Sequence, residues 1–506
     1  MSKVYSNIRL FSQTICRAAA CLAVALFIFT AAASAATYTV DTTADDGSLN
    51  ACTTSPGDCS LRGAINNANS DGVDSAITFA VSGTIRLTSR LPALANNGTL
   101  SITGPQAGIT ISGDANNTGV NDAGDVPIFS MTDGAANVTL DKLDLRGGRD
   151  TLDKGGAITN FGTLRVSNCT LALNVTDYGG AIYNVGTLTV TGSTLADNTA
   201  NLDGGAIFNR GMLTVTGSTL ERNYAARDGG AIINAIVNIS TLTMTGSTLA
   251  GNNAGDNGGA IRNNGAATII NCTLHSNYAV YNGGAIFNFR TLTMTNSTLA
   301  SNSASNDGGA IYNQNVVTWK NNLFADNSSL GAFGNLNDPT SSGDANKNYS
   351  FDTLGAAGLS NAANNGGPTQ TMALSPSSPV VDKGLDTTLA PDSLSTDQRG
   401  TGYARKSGSA VDIGAFEVQL APTAATVSVS GRVTAKGRGI SNAVVHLTSQ
   451  SGEILTARTN RLGYYTVTEL AAGETYIFNV FSKRYQFVPK VINLTEDLSE
   501  IDFTAQ

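Results

Sequence analysis

The tetrapeptide Gly-Gly-Ala-Ile begins at residues 155, 179, 204, 229, 258, 283 and 308, at intervals of 24, 25, 25, 29, 25 and 25. So constant a period admits few folds. A unit of this length cannot bury an apolar face alone, so it must stack on its neighbours. Each copy reads G-G-A-I-x-N, about four further residues, L-T-V-T-G-S-T-L, and then x-x-N. The one long interval holds about four extra residues near Ala235–Ser240. Apolar residues alternate with Thr, which is the period of a strand, and no 3.6-residue period is present.

The repeat therefore predicts an all-β chain built on a right-handed parallel β-helix of the pectin-lyase-like kind, with coils about 4.8 Å apart. Ile182, Leu188, Val190 and Leu195 point inward in one coil, with their equivalents above and below. Asn184, Asn209, Asn234, Asn263, Asn288 and Asn313 stack as one ladder at a bend, and Asn174, Asn198, Asn223, Asn252, Asn277 and Asn302 as a second. Stacked amides satisfy one another and the turn backbone. The Gly pairs allow a corner that a Cβ would strain. Less regular strands at 77–79, 84–87, 99–102, 109–112 and 138–145 read as earlier coils. A helical stretch at 61–69, with Leu61, Ile65 and Ala68 on one face, reads as a cover for the open end of the stack.

Residues 1–35 read as a cleaved secretory signal. Lys3, Arg9 and Arg17 precede an apolar run ending in Ala33-Ser34-Ala35, with small residues where a signal peptidase cuts. The segments that follow are an N-terminal cap at 36–75, the β-helix at 76–335, its C-terminal part at 336–420, a linker at 421–426 and a β-sandwich at 427–506. No second apolar run is long enough to span a membrane. The mature chain carries 27 basic against 38 acidic residues, a net charge of −11. That balance argues against nucleic acid as a partner. With two His in 506 residues, no metal centre and no cofactor are expected.

Four stretches resemble known families. The GGAIxN array at 155–327 resembles the repeats of polymorphic outer-membrane proteins and related bacterial β-helix surface proteins. Cys59-Ser60-Leu61-Arg62-Gly63-Ala64-Ile65 looks like the CSLREAI opening of secreted bacterial β-helix proteins, with Gly63 where that pattern has an acid. Residues 364–417 resemble the choice-of-anchor Q domain, through Asn365–Thr371, Ser378–Asp382, Asp397–Gly400 and Asp412–Glu417. That likeness implies export rather than a reaction. Residues 427–506 resemble a carboxypeptidase regulatory-like domain, a prealbumin or Ig-like β-sandwich. The marks are Val429–Val433, Gly439–Val445, Asn460–Tyr465 and Gly473–Tyr476. The likeness implies a non-catalytic accessory module.

The β-helix also carries pectin lyases and polygalacturonases, so catalysis has to be weighed from residues. A hydrolase needs two carboxylates on one cleft, and a lyase a cation site with a basic Arg or Lys. Asp203 and Asp228 fall in register on adjacent coils, but Asn257 and Asn282 fill the same column, which points to turn chemistry. His275 stands alone, in what reads as an exposed turn. The x of GGAIxN faces outward and holds Tyr183, Phe208, Phe287 and Tyr312. A solvent-facing aromatic strip would suit sugar rings or a protein partner, although aromatics also simply favour strands. Ranks of Thr, as at Thr189/Thr191 and Thr214/Thr216, resemble those of β-helical ice-binding proteins. Four Cys follow the signal. A Cys52–Cys59 disulfide would close a short turn. Cys169 and Cys272 share one inward repeat position four coils apart, about 19 Å, too far for a bond.

The reading is an exported surface or secreted protein, adhesive or polysaccharide-binding and non-catalytic. Its partners would be polysaccharide, cell-surface glycan or other surface proteins. A polysaccharide lyase or glycoside hydrolase, or a purely structural surface component, are the alternatives.

Overall fold

The computed structural model describes residues 35–506 apart from 96–97, 153, 236–238, 331–344, 391, 420–425, 450–453, 472–474 and 495. The expected signal, before residue 35, and all but the last residue of the expected linker lie outside the described residues. The chain divides into two compact units that meet between Val418 and Gln419.

The first unit is a parallel β-solenoid. One eleven-stranded sheet runs from Ala36–Val40 to Val317–Lys320 and carries the T-x-T strands; we call it sheet A. A second eleven-stranded sheet, B, runs from Gly83–Arg86 to Tyr349–Phe351 and carries the T-L-A strands. A seven-stranded sheet, C, runs from Val175–Tyr178 to Ser328–Ser329. An eight-stranded sheet, D, runs from Phe129–Met131 to Ile311–Asn313 and carries the A-I-x-N strands. In sheets A and D repeat pairs with repeat in register, Leu188 on Leu213, Val190 on Val215 and Ile182 on Ile207, while in sheet C the register shifts between Thr176 and Tyr178. Ile182, Leu188, Val190 and Leu195 are fully buried in one continuous core with their equivalents.

Polar ladders close the corners. Each Asn of the sheet D column donates its Nδ2 to the Oδ1 of the next, from Asn160 through Asn184, Asn209, Asn234, Asn263 and Asn288 to Asn313, at 2.7–2.9 Å. In the second ladder one Oδ1 takes both the backbone N–H and the Nδ2 of the Asn in the coil before, as Asn223 does for Asn198 at 3.1 and 3.0 Å. A third ladder is made by Ser193, Ser218, Ser247 and Ser297, whose hydroxyls accept N–H groups from the preceding coil. The Gly pair is needed for space as well as for dihedrals. Gly229 sits at φ +67°, and a Cβ on Gly230 would lie 2.1 Å from the Gly259 carbonyl of the next coil. The other two left-handed corners point their side chains outward, so Leu173, Asp197 and Arg222 are tolerated there.

Ala36–Val40 pairs in parallel with Ser75–Phe79, so the N-terminal segment contributes the first strand of sheet A. Within that segment the helix Leu61–Ser70, α1, buries Leu61, Ala64, Ile65 and Ala68 in the solenoid core. Ser60 caps it by accepting the Gly63 N–H at 3.0 Å. The departure at Gly63 is steric: a Cβ there would meet the Leu49 carbonyl oxygen at 2.1 Å. Cys52 and Cys59 are disulfide-bonded, with Cα atoms 4.3 Å apart, whereas Cys169 and Cys272 are buried free thiols.

After the last strand of sheet B, a short helix (Leu354–Ala357, α2) and an antiparallel hairpin (Leu359–Ala363 with Thr371–Leu374) lead into a strap that ends at Val418. The strap lies along the corner between sheets A and B, across several coils. Asn271, Asn296 and Asn321 donate to Thr396 O, Thr387 Oγ1 and Leu385 O respectively. Upstream coils that the strap does not bind in this way have Gly192, Gly217 and Gly246 at that corner. Met372, Leu374, Val380, Ile413 and Phe416 make a second core with Ala300, Leu323 and Ala325 of sheet B.

The second unit contains two four-stranded groupings consistent with a β-sandwich, antiparallel except that Phe503–Thr504 pairs in parallel with Thr426–Ala435. One sets Thr426–Ala435 between Arg438–Gly439 and Tyr464–Ala471, and the other orders Ile454–Arg458, Val444–Thr448, Thr475–Phe481 and Lys490–Asn493. Val429, Val445, Leu447, Leu470 and Phe478 form its core.

Candidate functional site

The outer face of sheet D gathers the aromatic residues singled out in the sequence. Strand pairing places Thr159, Tyr183, Phe208, Ile233, Arg262, Phe287 and Tyr312 in one column. The strip is not solvent-facing as expected. Tyr183 and Phe287 are buried, at 6% and 5% exposure, and only Phe208 and Tyr312 are half-exposed.

Alternation along a strand assigned the correct side of the sheet but not what covers it. Coil spacing brings the rings face to face: Tyr183 and Phe208 stack with centroids 5.3 Å apart and planes 5° from parallel, and Phe287 and Tyr312 at 5.2 Å and 22°. Rings this close and this parallel spend their faces on each other. Tyr178 packs edge-on against Phe208 at 5.1 Å, and Phe161 lies 6.5 Å from Tyr183. Cations fill the rim. Lys154 sits 5.7 Å from the Phe161 ring centre, Arg262 sits 5.0 Å from that of Phe287, and Arg210 donates to the Tyr183 hydroxyl at 3.1 Å. The face is therefore two aromatic stacks, with Ile233 and Arg262 between them and basic groups at the edge.

Asp203 and Asp228 border this face, just before their Gly pairs. Asp203 Oδ1 accepts the Asp228 N–H at 3.3 Å, and Asp228 Oδ1 accepts the Asn257 N–H at 3.1 Å. Asn282 Oδ1 does the same for the Asp307 N–H at 3.3 Å, so Asp and Asn serve the column alike. The remaining carboxylate oxygens pair with Arg227 and Arg262. Nearby Asp256 has its carboxyl pushed up, by burial first and by Asp228 next.

His275 is not in an exposed turn. It ends the strand Thr273–His275 of sheet B, partly covered, and burial holds its pKa below the usual imidazole value. Its Nδ1 lies 3.2 Å from Ser276 Oγ and its Nε2 has no hydrogen-bond partner. His446 lies on Val444–Thr448 in the second unit, 4.9 Å from the Phe481 ring.

The strap holds a buried polar cluster that sequence motifs marked without locating. Gln398 Nε2 donates to Thr248 Oγ1 at 2.8 Å and Thr369 Oγ1 at 3.0 Å, while its Oε1 accepts from Thr273 Oγ1. Arg399 pairs with Asp397 at 2.6 Å and lies between the rings of Tyr403 and Phe416, 4.0 and 3.7 Å from their centres. Arg405, wholly buried, meets Glu417 at 3.2 Å and the carbonyl of Gly414 at 3.0 Å. These groups face one another or the coils beneath, which is the arrangement of a clamp.

No known protein family matches the chain, and no curated protein is significantly similar to it.

Proposed function

We propose that the chain is an exported surface or secreted protein whose solenoid meets a glycan or a surface protein through the outer face of sheet D, without transforming it. The observation that carries this reading is the pair of aromatic stacks, each with one half-exposed ring, Phe208 and Tyr312, beside Lys154, Arg210 and Arg262. Ring edges, the positive side of the quadrupole, with basic groups alongside suit a sugar chain that presents acidic or hydroxyl oxygens. Because each of these rings gives a face to its neighbour, contact with a sugar would run chiefly along edges.

A glycan-array screen of residues 36–506, followed by the Phe208→Ser/Tyr312→Ser variant on any glycan retained, tests the reading. Binding that weakens at least tenfold with an unchanged far-ultraviolet circular dichroism spectrum supports it. Undiminished binding by the double variant removes sheet D from the account. New unsaturated or reducing ends on the bound polysaccharide would favour a lyase or hydrolase instead.

A further inference from the structure

One coil makes its corner in an unusual way. After the sheet B strand Asp144–Arg146, the chain crosses from Gly147 to Arg149 through a single residue, Gly148. The coil before it leaves at Gly113 and resumes at Val126, whose N–H bonds back to the Gly113 carbonyl at 2.9 Å. Twelve residues, Asp114 to Asp125, are thus looped out from two points held together.

Their sequence is Asp-Ala-Asn-Asn-Thr-Gly-Val-Asn-Asp-Ala-Gly-Asp. Oxygen-bearing side chains fall at positions one, three, four, five, eight, nine and twelve, and Gly at six. That spacing resembles a twelve-residue calcium-binding loop, which also uses the position-seven carbonyl, with Thr118 in place of an Asp or Asn and Asp125 in place of a Glu. The sixth residue, Gly119, has φ +73°, the left-handed turn that such a loop requires.

A separate observation concerns position twelve. Asp125 is only 4% exposed, and its Oδ1 has no hydrogen-bond partner. Its Oδ2 accepts the Asp122 N–H at 2.8 Å, so the carboxylate points back into the loop. A buried carboxylate that faces Asp122 and Asp114, eased only in part by the backbone N–H groups of Asp122 and Ala115, is costly. Among the described residues, three or more acids do not already converge as a metal shell. Asp114 instead accepts the N–H groups of Thr118 and Gly119, and Asp122 accepts Asn116 Nδ2 at 3.0 and 2.8 Å and Thr118 Oγ1 at 3.1 Å. The Asn116 amide holds its positive end where a cation would attract the same oxygens. A half-turn of that amide exchanges the donor for an acceptor.

We propose that Asp114–Asp125 is a calcium-binding loop, liganded by Asp114, Asn116, Thr118, the Val120 carbonyl, Asp122 and Asp125. All six are hard oxygens, which favours Ca²⁺ over softer metals. Three carboxylates give the site net negative charge, with Arg149 close enough to Asp122 to moderate it.

The test is calorimetric titration of chelator-stripped residues 36–506 with CaCl2 alone. One ion per chain is expected, with Kd on the order of 10⁻⁴–10⁻³ M, as in extracellular modules. Asp125→Asn and Asp114→Asn should each weaken binding at least tenfold. A third variant, with 114–125 replaced by one Gly as at Gly148, should keep its β-rich circular dichroism and lose binding. No uptake by the parent at 10 mM CaCl2, or unchanged affinity in the variant lacking the loop, would overturn the proposal.

Discussion

Replacing Asn223 by Ala measures what the second ladder contributes. The residue is fully buried. Its Oδ1 accepts the Asn198 N–H at 3.1 Å and Asn198 Nδ2 at 3.0 Å, and its Nδ2 donates to Leu195 O at 2.9 Å and Asn252 Oδ1 at 3.0 Å. Truncation strands the Asn198 N–H, one Asn198 amide proton and a lone pair on Leu195 O. Asn252 Oδ1 keeps its bond from the Asn223 N–H at 3.0 Å. Each stranded buried group costs about 1–3 kcal/mol, and water entering the vacated space recovers part of it. A loss of roughly 3–6 kcal/mol follows. Urea unfolding, read by far-ultraviolet circular dichroism and by the fluorescence of Trp319, gives the number. Trp319 lies on sheet A four coils further on, and coils couple mainly to their neighbours. A circular-dichroism midpoint that falls further than the Trp319 midpoint would place the break near Asn223. The exposed Asn201→Ala, which loses a single bond to Asp177, is the control and should stay within about 0.5 kcal/mol. A change below about 1 kcal/mol for Asn223→Ala, with an unchanged urea slope, would refute the assignment of the ladder as a main support of the corner.

Asp228→Asn keeps the acceptor that the next coil needs and gives up a partly exposed pair with Arg262, so stability should fall by no more than about 1 kcal/mol; a larger loss, or loss of a polysaccharide-degrading activity, would contradict the turn role. Burial pushes the Cys169 and Cys272 thiols up to about 12, so the native chain at pH 8 should resist alkylation. The denatured, unreduced mature chain should then show two reactive thiols, and a count of zero would break the coil register. Burial also raises Glu417 from 4.5 to about 7 against the pull of Arg405. The native state therefore holds that proton more tightly than the unfolded chain, and this group lowers stability as pH rises from about 4.5 to about 7. Glu417→Gln should flatten the fall in urea midpoint over that window, and equal slopes for the two proteins would count against it.

The solenoid and its interior were legible because the repeat gives each residue its own counterpart as a neighbour. Once Leu188 is inward, Leu213 and Leu242 are too, and the ladder through Asn184 follows from the same translation. The Asp114–Asp125 spacing was equally open to reading, being local, but it falls outside the period that organised the rest. The aromatic column was half legible: alternation told which side of sheet D Tyr183 and Phe287 occupy, but not that rings one coil apart cover each other.

The amino-acid sequence by itself determined the coil, its inward residues, both Asn ladders and the glycine corners, since each depends only on a residue and its copy about 25 positions away. Only the tertiary structure decided where the strap lies. Gln398 reaches Ser247 and Thr248, and Asn271 reaches Thr396, across more than 120 residues. No period links those positions, so the Asn at 271, 296 and 321 looked like ordinary left-handed turn residues until the strap's backbone lay against them. The burial of Arg405 with Glu417 has the same origin: a charge is placed inside a protein by what folds over it, and what folds over these two is set by contacts that the repeat does not encode.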